Sequence, residues 1–289
     1  MNGNQNNQIF LNIATQNAMV FRCLAKVLFR NFITSSFIIN EFGLFVQEST
    51  ENECVLVEAL LKREDFSQFN IPVFQNDSDV IILGFSTKEM DIALTGITKT
   101  DNFKMYILTN DFSVLYIHIT NATNGKNSLK TIRLMRTNIS KVVSNSYKDH
   151  MPTASIASAS FKKGITEAKK VLKEAQKARI RAQCGIINNM MVSGAIVTPP
   201  ENFQIGNFTE TWGNYIQGQP DIYDENISIS KLSSIGELAP ITKAIKLYAC
   251  DDGRPLKFSL NAGCPTPLGV ISVYLKPEDT GTINGEILQ

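Results

Sequence analysis

A chain of 289 residues with 43% apolar side chains is about twice a common domain length and can bury two moderate cores. The formal net charge of +1 supplies no global pull toward nucleic acid, so any polyanion site must come from how charge is distributed. Five cysteines without CxxC or Cys/His spacing argue against a zinc ribbon or a disulfide framework and read as buried, reduced thiols of an intracellular protein. No apolar run approaches the roughly 18 residues that span a bilayer and no signal peptide is apparent, so neither membrane nor secretion is expected.

The first seven residues, MNGNQNN, are too polar to pack and read as disordered. Ile9 to Ile13 reads as a short strand. Ala18 to Phe29 sets Phe21, Leu24, Ala25 and Leu28 at helical spacing, with Arg22, Lys26 and Arg30 on neighbouring positions. Phe32 to Ile39, Leu44 to Gln47 and Cys54 to Leu61 read as strands, the first two joined by a Glu-Phe-Gly turn. Ser86 to Leu94 predicts a short helix with Ser86 or Thr87 as N-cap and acids in its first turns. Lys104 to Leu108, Val114 to Ile119 and Thr131 to Met135 then alternate as strands. From Thr137 to Ser155 the pattern breaks into Asn, Ser, Lys and Pro with isolated Val142, Val143 and Tyr147, which reads as an exposed linker.

Next comes the run FKKGITEAKKVLKEAQK, Phe161 to Lys177, with six lysines against two acids. At about 100° per residue, Lys162, Lys163, Lys169, Lys170, Lys173 and Lys177 fall within an arc of roughly 120°, opposite Phe161, Ile165, Ala168, Leu172 and Ala175. One face packs on protein; the other is either a solvated surface or a polyanion site. Strands follow at Arg179 to Cys184 and Met190 to Ile196, then an irregular Pro/Gly/Asn stretch, a strand at Ile227 to Ser230 and a short helix at Leu232 to Ala239. Ala244 to Cys250, Leu256 to Leu260 and Gly269 to Leu275 complete the strands. Matching elements recur at offsets of roughly 140 to 146 residues, the signature of an internal duplication. The expected class is α+β: two copies of a curved antiparallel sheet carrying two helices on one face, with domains at 1–136 and 156–289 and the linker 137–155 between them.

These residues resemble a known family. FRCLAKVLFRNFITSSFIINEFGLFVQEST and CVLVEALLKREDFSQFNI are similar in order and spacing to the N-terminal domain of proliferating cell nuclear antigen, the sliding clamp. KARIRAQCGIINNMMVSGA, LSSIGELAPITKAIKLYACDDGRPLKFSLN and PLGVISVYLKPED resemble its second domain. The resemblance implies a divergent clamp, of the kind a DNA virus or phage would encode, forming a ring with helices inside and sheets outside. It implies non-specific double-stranded DNA as one partner, DNA polymerase and other clients as further partners, a possible clamp loader, and a homo-oligomer, the trimer favoured. DNA-facing residues carried over are Arg22, Lys26, Arg30, Lys88, Lys162, Lys163, Lys169, Lys170, Lys173 and Lys177. Glu237 stands where the family would carry a lysine. The physics agrees, because a sliding protein needs many weak phosphate contacts and no base readout, and lysine is a flexible, hydrated point charge.

The family's client pocket maps onto Cys54, Leu56, Val143, Met151, Pro255, Tyr274 and Pro277. Subunit contacts map onto the edges Thr131 to Met135 and Met190 to Ala195, the latter an apolar liability unless paired. No catalytic residue, cofactor or metal is expected. Gly125-Lys126 lacks the rest of a phosphate loop, there is no GxGxxG or HExxH, His118 and His150 are isolated, and Asp251-Asp252 reads as a turn. Two other readings stay open: a monomeric or dimeric processivity factor of herpesvirus type that holds DNA on a basic face, and a capsid or scaffold protein whose basic helix touches nucleic acid or membrane.

Overall fold

The computed structural model describes residues 8–51, 54–73, 80–137, 154–171, 177–187, 189–198, 203–207, 221–248 and 254–276, and for the strands between 177 and 226 the backbone course alone. In chain order the first half comprises β1 (Ile9–Thr15), α1 (Ala18–Asn31), β2 (Thr34–Asn40), β3 (Gly43–Ser49), β4 (Val55–Lys62), β5 (Gln68–Asn70), β6 (Ile81–Ser86), α2 (Thr87–Leu94), β7 (Asp101–Leu108), β8 (Asp111–Asn121) and β9 (Asn127–Arg133). The second comprises β10 (Ala154–Ala157), α3 (Ser158–Val171), β11 (Lys177–Ile187), β12 (Asn189–Thr198), β13 (Phe203–Asn207), β14 (Asp221–Ser228), α4 (Ile229–Gly236), β15 (Ala244–Tyr248), β16 (Leu256–Ala262) and β17 (Gly269–Leu275). Strand β10 begins inside the segment that the sequence presents as linker.

Alternation builds the sheets. In β4, Val55, Val57, Ala59 and Leu61 are buried while Glu58 and Leu60 on the intervening face are not, the period-two pattern of a strand with one face against a core. Helix α1 presents Phe21 to that core, stacked on Phe103 of β7 at 4.1 Å and edge-on to Phe37 of β2 at 6.2 Å. Burying a ring of this size contributes roughly 1.5–3 kcal/mol. Helix α3 does the same in the second half, with Phe161 5.7 Å from Phe258 of β16. The α2 N-cap is as the sequence predicts: Ser86 Oγ accepts from Glu89 N at 3.4 Å.

Strand pairing makes the duplication explicit. In the first half β1-β7-β8-β9 run side by side, with β5 added outside β1, and β6-β2-β3-β4 form a second set; in the second half β10-β15-β16-β17 and β13-β12-β11-β14 repeat both. Ala18 and Ser158 open α1 and α3, Thr87 and Ile229 open α2 and α4, and Asn127 and Gly269 open β9 and β17, which matches the offset read from the sequence. Each half therefore divides its strands between two sheets. The halves share one of them: β17 pairs antiparallel with β4 from Gly269↔Leu61 to Leu275↔Val55, giving a continuous eight-stranded sheet. At this seam a Cβ on Gly269 would sit 2.0 Å from the Leu60 carbonyl oxygen, so only glycine allows the approach.

Several sequence expectations change. Met190 to Ala195 is not an edge, because β12 lies between β11 and β13; among the described residues the outer strands of this sheet are β13 and β14, β13 lying in a stretch that reads as irregular. The lysine helix starts earlier, at Ser158, and Lys177 opens β11 opposite Ser228 of β14. At Lys177 the ladder with β14 prevails over lysine's good helix propensity. Cys264 is exposed in the turn between β16 and β17, whereas Cys23 is buried as expected and Cys54 is half-buried. Expectations for residues 1–7 and for most of the linker lie outside the described residues.

Candidate nucleic-acid interface

The helices form one row. α2 packs beside α1, α1 touches α4 across the two halves, and α4 packs beside α3. In α3, Phe161 and Ile165 are buried while Lys162, Lys163 and Lys169 are exposed, as the helical arc requires. Gly164 sits on the buried side, and the Thr166 hydroxyl donates to the Lys162 carbonyl at 2.8 Å. The helix is anchored at its start, where Ser158 N donates to the Lys243 carbonyl at 3.0 Å and Ser158 Oγ to the Thr242 carbonyl at 2.6 Å. Lys170 belongs to this helix, and Lys173 lies outside the described residues.

The cations of α1 behave differently. The Arg22 guanidinium donates to the Ile97 carbonyl just beyond α2. Lys26 Nζ lies 3.4 Å from Glu237 Oε2, and Arg30 Nη2 lies 2.5 Å from Glu237 Oε1, while Arg30 Nη1 donates to Ser233 Oγ at 2.8 Å. Glu237 follows α4, so these contacts join the halves on the helix side as β17 and β4 join them in the sheet. Cys23 lies buried among the same charges. Burial pushes its thiol up to about 11, with Lys26, Arg22 and Lys162 pulling down and Glu237 adding to the rise. Cations from α1 and α3 thus both act on the buried Cys23 thiol. Lys88 on α2 is exposed beside the exposed Glu89.

On the opposite side of the eight-stranded sheet, Leu56 and Tyr274 pair across β4 and β17 and pack with Tyr248 as a small cluster separate from the main core. Lys257 lies between the two rings, 5.1 Å from the Tyr248 centroid and 5.2 Å from that of Tyr274. Burial lowers the Lys257 pKa, and Glu58 opposes the shift. Pro255 and Cys54 are half-buried at the same end, and Cys54 O accepts from Lys276 N at 3.0 Å. Four of the sequence-derived client residues are therefore brought together. Val143, Met151 and Pro277 lie outside the described residues. Tyr248 and Lys257 join this cluster although they are not among the sequence-derived positions, because their meeting with Tyr274 depends on strand register, which residue spacing along one strand does not reveal.

Among the described residues no three His, Cys, Asp or Glu side chains could hold a metal ion, and no helix is long and apolar enough to cross a membrane.

A duplicated α+β unit with its helices on one side and a sheet continuous between the halves defines the sliding-clamp fold. Solved structures agree: the chain is similar to proliferating cellular nuclear antigen from Entamoeba histolytica, with TM-score 0.68 and 16% identity, covering 94% of this chain and 100% of that one. It is also similar to the PCNA2-PCNA3 complex from Sulfolobus tokodaii, with TM-score 0.64 and 11% identity, covering 92% of this chain and 99% of that one. No protein-family model matches the sequence, and no curated protein matches it. The fold is that of a divergent clamp of the proliferating cell nuclear antigen type.

Proposed function

We propose that the protein is a DNA sliding clamp, a non-enzymatic processivity factor that surrounds duplex DNA and tethers a polymerase and other clients to it during replication and repair. The observation that carries this reading is the helix row, with exposed Lys162, Lys163 and Lys169 of α3 on the face shared with α1. Flexible ammonium groups there neutralise phosphates without reading bases, giving a grip that salt weakens and that slides. The Leu56, Tyr248, Tyr274 cluster on the other side is the proposed client site, where a partner peptide would place an apolar or aromatic side chain against the rings. A loader that opens the ring and a location at replication sites follow from the same reading.

Ring closure has a specific form in this proposal. Within the chain, β17 pairs with β4. By the duplication β17 corresponds to β9 and β4 to β13, and β9 and β13 are both outer strands of their sheets among the described residues. Pairing β9 of one copy with β13 of the next would repeat the internal seam between subunits and cover both edges. Three such copies, six repeats of the unit, are the favoured ring, and the Sulfolobus neighbour is itself a complex of two clamp chains. The test is primer extension on a long, singly primed circular template with the cognate polymerase. Added protein should lengthen the products made in one binding event; unchanged product length would refute the processivity role.

A further inference from the structure

The three basic residues of α1 all have partners within the chain, although Arg30 is exposed and Lys26 half-buried. Arg22 is held by the Ile97 carbonyl, and Lys26 and Arg30 converge on the single carboxylate of Glu237, which is only 17% exposed. Position makes this carboxylate informative. Glu237 is the C-cap residue of α4, with its own N–H bonded back to the Ser234 and Ile235 carbonyls, so it sits at the end of a helix where the dipole disfavours negative charge. No benefit to α4 itself explains an acid there. Two cations on a neighbouring helix do, and both of its oxygens are used, Oε1 by Arg30 and Oε2 by Lys26.

We infer that Glu237 is an internal phosphate surrogate: it occupies the binding geometry that Lys26 and Arg30 would offer to a DNA phosphate and so removes α1 from the grip, leaving the duplex to follow α3. This rests on the reading of the helix row as the DNA face. The consequence is a lopsided contact in each subunit, with Lys162, Lys163 and Lys169 exposed on one flank and, on the other, a seam where two cations share one carboxylate. Each phosphate contact withheld lowers affinity and salt sensitivity together, since counterion release scales with the number of phosphates neutralised. Glu237 thereby sets how weakly the protein holds DNA.

The experiment is duplex-DNA binding by the full chain across a salt series, comparing wild type with E237Q, E237A, E89Q and K162A/K169A. Both Glu237 variants are used, after a melt confirms folding, so that loss of one leaves the other. The expected result is tighter binding by about 3- to 10-fold for each Glu237 variant, with a log–log salt slope steeper by roughly one to two, at about 0.9 per phosphate contact. E89Q, which changes net charge equally from the exposed surface of α2, should leave the slope unchanged. If K162A/K169A weakens binding while the Glu237 variants superimpose on wild type or on E89Q, the surrogate role is overturned and the DNA face stands. If K162A/K169A also leaves binding unchanged, the DNA-face reading itself has failed.

Discussion

Among single side chains, Cys23 has the sharpest consequence. Its thiol is buried in α1, and that burial pushes it from its ordinary 9.0 up to about 11. The folded state therefore keeps a proton that the unfolded chain releases between these values. Stability from this group is fully present below about pH 9 and is lost as pH rises toward 11, a change on the order of 2–3 kcal/mol. Thermal melts from pH 8 to 11 should show a steeper fall for wild type than for C23A, and parallel curves would contradict the assignment. The same burial makes Cys23 inert to thiol reagents in the native protein, while Cys264, exposed in the β16–β17 turn, reacts. Glu48 shows the same effect of burial on a carboxyl group. Burial raises its carboxyl pKa despite hydrogen bonds from Ser36 N at 2.8 Å and Ser36 Oγ at 3.2 Å, at the point where β2 and β3 cease to pair.

For the elements, the seam between β4 and β17 controls how the halves join. Gly269 admits the Leu60 carbonyl where any Cβ would collide, so G269A must push the strands apart at the first rung of the ladder. We expect a loss of about 1–3 kcal/mol in a denaturant melt. A variant as stable as wild type would show that the seam tolerates displacement. These elements also reveal how far the residues speak for themselves. Gly269–Leu275 is legible to the residue, because VISVYL is apolar apart from Ser272 and bounded by Gly and Lys, and α1 is legible from its helical spacing. The strands β5, β6, β10 and β13 are not: β5 and β10 are too short to show a period, β6 runs directly into α2, and β13 follows two prolines in polar sequence. The end of α3 escapes for a different reason. Lys, Glu, Ala and Gln favour helix on both sides of it, and what redirects Lys177 is a long-range ladder with Ser228. In the candidate site, the outward lysines follow from periodicity. The clasp of Lys26 and Arg30 on Glu237 does not, since it joins helices more than 200 residues apart in sequence.

At the scale of the whole molecule, two independent contacts fix one half against the other, the β17–β4 ladder in the sheet and the α1–α4 ion pairs among the helices. With the halves joined this way, β9 and β13 are outer strands of their sheets among the described residues, and the helices form one row on the proposed inner side. In the proposed function such a molecule would hold DNA weakly by any single contact, its exposed lysines being subject to screening at physiological salt. Persistence on DNA must then come from topology, which separates a ring from a protein that merely adheres by a basic face. The most direct measurement follows labelled protein loaded on a duplex blocked at both ends, at a salt concentration that abolishes simple adhesion, before and after one end is cut free. Retention on the blocked duplex and rapid loss after cutting are the predicted result. Equal residence time on blocked and open duplexes would contradict the encircling clamp.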